Sequence, residues 1–347
     1  MNAAPEFNSP VDAPAAPLTP ASTPPSTEAS TQPSTQPSTE PSTAPGAVAR
    51  LLDSDLWWDF KHSPLVMTSA AITALMFLAA LFAPQVAPYD PFDMASIDLL
   101  DALRPPAWAE GGSIAYLFGT DDQGRDVFST ILYGSRISLL VGFLSVIMAM
   151  LIGVLVGLIA GYKGGWLDAV LMRIADIQLS FPAILVALLI DGVVRGILPR
   201  GAHEELAVLV LIVAIGLSFW VQFARTVRGA TLVERTKEYV LAAQVTGLPD
   251  TLIVFRHILP NVMGPVLVIA TIQLALAIII EATLSFLGVG VPPTSPSLGT
   301  LIRIGNDYLF SGEWWITVFP GLALIVLVLA VNFLGDWLRD ALNPKLR

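Results

Sequence analysis

The stretch EYVLAAQVTGLPDTLIVFRHILPN, residues 238–261, lies between two long apolar runs, and its reading decides how the chain is built. A turn that merely reverses direction needs only a handful of residues. Here the first half, Glu238 to Val245, consists largely of good helix formers. Ala242 and Ala243 give it a low, smooth surface that another protein can approach closely. Gly247 ends the helix without steric cost. Pro249 and Asp250 suit the start of a second short helix, and Pro260 stands where the next apolar run begins. Arg225, Arg228, Arg235 and Lys237 precede the stretch, which places residues 225–261 on the cytoplasmic side. A plain helical hairpin with a basic face is the simpler reading of the same residues.

On either side the chain reads as membrane. It is 54% hydrophobic and 13% charged, whereas a soluble domain carries roughly 25% charged residues. The deficit comes from runs at 65–83, 137–162, 206–224, 258–280 and 314–335. Each is long enough to cross a hydrocarbon core of about 30 Å as a helix. Residues 167–190 make a sixth run that contains Asp168, Arg173 and Asp176. Backbone amides in lipid must be paired within their own segment, so helices are expected, and no short alternating strands of a barrel occur. The expected fold is an all-α polytopic membrane protein with six transmembrane helices. With both termini cytoplasmic, twelve Lys and Arg fall inside and six outside. The net charge of −10 arises largely from the N-terminal tail and the first outside segment, so it does not suggest a nucleic-acid partner. There is no cysteine, hence neither disulfide nor thiolate metal site, and no basic-then-apolar leader precedes Leu65.

The remaining segments have separate readings. Residues 1–49 form a Pro/Ser/Thr-rich tail, with 11 of the 27 prolines before Gly46, and are expected to be disordered. Residues 50–63 are amphipathic, with Trp57 and Trp58 beside Lys61 suiting an interfacial anchor. Residues 87–135 are expected to form a small extracytoplasmic cap within the transmembrane domain 64–347. In that cap GTDDQGRDVF reads as a turn in which Arg125 pairs with a nearby acid; a calcium site of Asp121, Asp122 and Asp126 lacks the usual loop spacing. Gly153, Gly157 and Gly161 share one helix face and suit close helix packing, within the subunit or against another. Arg173 and Asp176 are spaced to pair on one face, and Pro182 should bend the run. Asp176 and Glu281 are acids inside spans, either lining a pathway or bonding neighbouring helices. Residues 288–299 read as a non-helical outside loop, open to being re-entrant. His62, His203 and His257 are far apart and suggest no metal site.

Five blocks together carry a resemblance: GTDDQGRDVFSTILYGSRISL, GYKGGWLDAVLMRIADIQLSFP, the 238–261 stretch, EATLSFLGVGVPPTSPSLG and NFLGDWLRDALNP. Their order resembles the second permease subunit of ATP-binding-cassette (ABC) importers of the dipeptide, oligopeptide and nickel class. The resemblance implies the type I importer permease fold in a prokaryotic cytoplasmic membrane. It implies as partners a homologous second permease, two cytoplasmic ATPases and an extracytoplasmic solute-binding protein. Glu238, Ala242, Ala243, Gly247, Leu259 and Pro260 would then dock an ATPase. ATP and Mg would belong to those ATPases, with no cofactor in this chain, which lacks a G-x-x-x-x-G-K-[ST] phosphate loop. Leu241 departs from the usual Glu before the Ala pair, and Thr130 and Leu298 stand where Arg and Trp are common. An ion-coupled secondary transporter using Asp176 and Glu281 is the rival reading, and nickel or another small solute the alternative cargo.

Overall fold

The computed structural model describes residues 60–93, 97–197 and 199–341. The tail at 1–49 and the tryptophans of the 50–63 segment lie outside the described residues. The main elements are α1 (Pro64–Leu81), α2 (Val127–Lys163), α3 (Gly165–Leu179), α4 (Ala183–Ile197), α5 (Arg200–Glu234), α6 (Glu238–Val245), α7 (Leu259–Phe286), α8 (Leu298–Asn306) and α9 (Trp315–Ala341). The described residues contain no strand, and one antiparallel bridge joins Thr120 to Asp126. Five helices are long and apolar enough to cross a membrane. The pair α3 and α4, bent by 92°, makes a sixth span if counted as one. The break falls at Phe181 and Pro182, where the sequence expected a bend. Proline lacks the amide hydrogen that would continue the ladder.

The seam between α2 and α5 organises the bundle. In lipid, close packing rather than burial drives helices together, so small residues mark the contact. A Cβ on Gly153 would lie 2.5 Å from the Trp220 carbonyl, one on Gly157 2.6 Å from that of Ala224, and one on Gly161 2.7 Å from Thr231 Cβ. The glycine face is therefore spent inside the subunit. Phe223, Leu211 and Ile215 of α5 are fully buried in the same core. Gln178 of α3 accepts from Trp220 Nε1 at 2.7 Å and donates to the Leu217 carbonyl, satisfying polar groups that lipid would leave unpaired.

Several boundaries differ from expectation. α2 starts at Val127, not near Ile137, because Asp126 caps it, accepting from Ser129 N at 2.8 Å and Ser129 Oγ at 2.6 Å. Its 37 residues span about 55 Å, well beyond a bilayer core, so its first turns belong to the cap. Asp121 forms the cap's turn: it accepts from the backbone of Gln123 and Arg125 and pairs with Arg125 Nε at 2.6 Å. Trp315 Nε1 donates to the Thr120 carbonyl at 3.0 Å, and Phe118 stacks on Phe319 at 4.5 Å, fastening the cap to α9. The turns from Leu287 to Ser297 match the expected non-helical loop, but α8 then begins at Leu298, with Ser297 as its N-cap.

The second half of the 238–261 stretch is no loop. Helix starts at Asp250 and passes through a π turn, Ile253–Ile258, straight into α7. Pro260 was read as the start of the span, yet the helix precedes it by ten residues. The wider π turn accommodates a proline that supplies no hydrogen to the ladder. Asn261 Nδ2 donates to the His257 carbonyl at 2.6 Å within that turn.

Candidate functional site: the α6 hairpin

α6 occupies eight residues between the ends of α5 and α7, and its termination follows from Gly247. That residue has φ +77°, where Leu248 N donates to Ala243 O at 3.1 Å and Gly247 N to Gln244 O at 3.0 Å. This is the Schellman closure, and it needs a left-handed residue. No atom lies within 4 Å of a Cβ placed there, so the backbone angle alone selects glycine.

The helix is tied to the ends of α5 and α7, and these are tied in turn to the end of α2. Tyr239 OH donates to Glu234 Oε2 at 2.5 Å and accepts from Asn261 Nδ2 at 3.1 Å, linking α6 to the ends of α5 and α7. Burial, and then the Glu234 carboxylate, push the Tyr239 phenol up to about 12. Arg235 Nη1 donates to the carbonyls of Gly161 and Tyr162 at 2.9 and 3.3 Å. At the foot of α7, Asp250 accepts from Lys163 Nζ at 2.7 Å and Tyr162 OH at 2.9 Å.

The two alanines separate. Ala243 is 6% exposed and packs with Val240 in the main core, so it contributes to the mount rather than to an external surface. Leu259 is half-buried against the same core. Glu238, Ala242, Gly247 and Pro260 are exposed. Leu241 and Val245, at 47% and 88% exposure, join Glu238 and Ala242 at positions i, i+3, i+4 and i+7. The outward face of α6 is thus an apolar stripe with one acid at its start. Beside it, a hollow of about 380 Å³ is lined by Tyr162, Arg235, Thr236, Leu241 and Gln244.

Known proteins share this chain's pattern. The family described as binding-protein-dependent transport system inner membrane component matches residues 153–347, and the N-terminal TM domain of oligopeptide transport permease C matches 54–106. The chain belongs to this family of permeases. It is 40% identical over 293 residues to the dipeptide transport system permease protein DppC of Escherichia coli (strain K12), covering 84% of this chain and 93% of that one. To the oligopeptide transport system permease protein OppC of Bacillus subtilis (strain 168) it is 38% identical, over 84% and 90% of the two chains. Among solved structures, a chain of the inward-facing MetNI methionine ABC transporter is 23% identical, covering 62% of this chain and 97% of that one, with a TM-score of 0.49. The permease is accordingly a multi-pass inner-membrane subunit of a larger transport system.

The two intramembrane acids of the permease are both engaged between helices. Asp176 pairs with Arg225 of α5 rather than with Arg173 as its spacing suggested, because the packed neighbour presents a guanidinium at the same level. Glu281 is fully buried and accepts from Ser138 Oγ at 2.7 Å and Ser285 Oγ at 2.8 Å. Sequence reasoning missed two further pairs. Asp168 takes both Arg228 nitrogens at 2.5 and 2.7 Å, and no local spacing reveals a partner 60 residues away. Asp191 pairs with Arg195 Nε at 2.6 Å. Its i, i+4 spacing on a helix was the available signal.

Proposed function

We propose that this permease is one membrane half of an ATP-driven importer of short peptides, and that α6 is where separate ATPase subunits engage it. The carrying observation is the outward stripe of Glu238, Leu241, Ala242 and Val245 on a helix bonded to the ends of α5 and α7, with α5 bonded in turn to α2. An apolar stripe facing water is unfavourable unless another surface covers it. A short helix fixed to two spans that are themselves tied to a third also passes a push on to them. Coupling requires contacts that differ between two states, and ATP binding by partners supplies that difference.

The remaining parts of the system are inferred from the family resemblance. They are a homologous second permease, two ATPases carrying ATP and Mg, and an extracytoplasmic solute-binding protein. α6 and both termini then lie in the cytoplasm, and the cap 87–135 lies outside. The names of the relatives support peptides over nickel or another small solute as cargo. The test is purification of the tagged permease with its co-encoded partners, followed by uptake of a labelled dipeptide into proteoliposomes. Val245→Glu should leave the permease in the membrane yet cut ATP-dependent uptake at least tenfold and release the ATPases. Wild-type uptake with that substitution would overturn the docking role of α6.

A further inference from the structure

Glu281 lies in a span, has no exposure, and is held by hydroxyl groups on both carboxyl oxygens. The bond from Ser138 continues. Ser138 Oγ accepts from the backbone N–H of Leu298 at 3.3 Å, and Leu298 is the first residue of α8. A polar chain therefore runs from the start of α8, through α2, to α7. The N-terminus of α8, the positive end of its dipole, faces the carboxylate across one serine. Backbones abut at the same place: a Cβ on Gly299 would sit 2.3 Å from the Ala282 carbonyl, and one on Gly134 3.3 Å from Leu298 N.

Residues 287–306, the outer segment ending in α8, have other ties: Val289 N donates to the Leu284 carbonyl at 2.9 Å, and Leu298 and Leu301 are buried in one cluster with Val127, Ile131 and Trp315. Arg195 reaches the Gly288 carbonyl at 3.5 Å, Arg125 reaches that of Pro293 at 3.5 Å, and Thr300 Oγ1 reaches that of Val291 at 3.4 Å. Such lengths mark weak bonds, as does the 3.3 Å from Leu298 N to Ser138 Oγ. The bonds of 2.7 and 2.8 Å that converge on Glu281 are short and involve a buried carboxylate, so they fix where Ser138 stands. Removing the carboxylate takes away the acceptor that Ser138 and Ser285 share.

We propose that Glu281 is a positioning residue for transport: through Ser138 it seats α8, and with it residues 287–297, against α2 and α7, so that this outer segment moves with the spans when the permease changes state. The proposal rests on the transport reading above. Glutamine keeps the length of the side chain but offers one acceptor in place of two, whereas alanine offers none.

The chain has no cysteine, which provides a local reporter. Val291, 6% exposed within the outer segment, is replaced by cysteine and probed with a membrane-impermeant thiol reagent in the assembled complex. With Glu281 present, labelling should be slow. Glu281→Ala should raise its rate at least tenfold and lower peptides moved per ATP hydrolysed by a similar factor. Glu281→Gln should restore most of both, whereas Glu281→Met, similar in bulk but without the oxygen acceptors, should not, which separates hydrogen bonding from bulk packing. If Glu281→Ala fails to assemble, Ser138→Ala combined with Ser297→Ala, which breaks both links from Glu281 to the start of α8 but leaves Ser285, decides by the same two readouts. Unchanged labelling and coupling in an assembled variant would overturn the proposal. Absence of ATP-dependent uptake in the complex with Glu281 intact would instead refute the transport reading, while the labelling comparison would still report on the seating of α8.

Discussion

At the residue scale, neighbouring positions on α6 have opposite duties, and substitutions there should separate folding from coupling. Ala243 is buried against Val240 and the core, so Ala243→Glu places a charge where none can be solvated, a cost of several kcal/mol. The expected outcome is loss of the permease from membranes, read by immunoblot. Ala242 is exposed, so Ala242→Glu should leave its abundance unchanged and lower peptide-stimulated ATPase activity of the complex several-fold. Gly247→Ala meets no clash but forces a side chain into the left-handed region, costing about 1–2 kcal/mol. The end of α6 should loosen, seen as faster amide exchange at Gln244 to Leu248. Tyr239 gives a pH signature. Its phenol is raised from the ordinary value near 10 to about 12, so the folded state holds the proton that the unfolded chain releases. Its contribution is intact below pH 10 and is lost as pH rises through 12. Tyr239→Phe should shrink the high-pH step of an ultraviolet titration, which Tyr116 shares, by the absorbance of one phenol, and an unchanged titration would contradict the assignment.

At the level of elements, the α2–α5 seam and the helix that crosses Pro260 show what was legible in sequence. The repeat of Gly153, Gly157 and Gly161 announced a close helix contact because small residues leave a periodic mark. Its partner could not be read, because the complementary surface of Trp220, Ala224 and Thr231 is ordinary apolar sequence. The bend at Pro182 and the Gly247 stop were visible for the same reason: proline and glycine act through their own backbones. The π turn before Pro260 was hidden, since whether a helix breaks at a proline or widens around it depends on what packs there. The Arg225–Asp176 and Arg228–Asp168 pairs were equally hidden, being long-range. A prediction follows for the seam. Gly157→Ala puts a methyl 2.6 Å from the Ala224 carbonyl and should lower the melting temperature of the purified permease by several degrees. Gly229→Ala, in the same helix pair but with nothing within 4 Å, should leave it unchanged or raise it, because alanine is the better helix former by about 1 kcal/mol. Equal effects from both would mean that the glycines do not govern this contact.

For the whole molecule the question is where the energy enters. One route is a proton moving through intramembrane acids, which in this chain would be Asp176 and Glu281. Asp176 faces Arg225 and Glu281 faces two serines, so each carboxylate already has a structural partner on a neighbouring helix or one turn away. The other route is mechanical, from nucleotide turnover in other subunits, through α6, into α2, α5 and α7. In the proposed orientation the α6 side carries twelve Lys and Arg against six, the bias expected of a cytoplasmic face, where ATP is available. The chain carries no G-x-x-x-x-G-K-[ST] phosphate loop, and under the proposal the nucleotide is held by other subunits. The two routes differ in what stops uptake. In proteoliposomes containing the full complex, dipeptide uptake should persist when a proton ionophore collapses the gradient and should cease when internal ATP is replaced by a non-hydrolysable analogue. Asp176→Asn should retain at least half of the ATP-driven rate, since a neutral amide still accepts from Arg225. Uptake that survives without hydrolysable ATP but fails with the ionophore would place the energy in the acids and leave α6 without its proposed role.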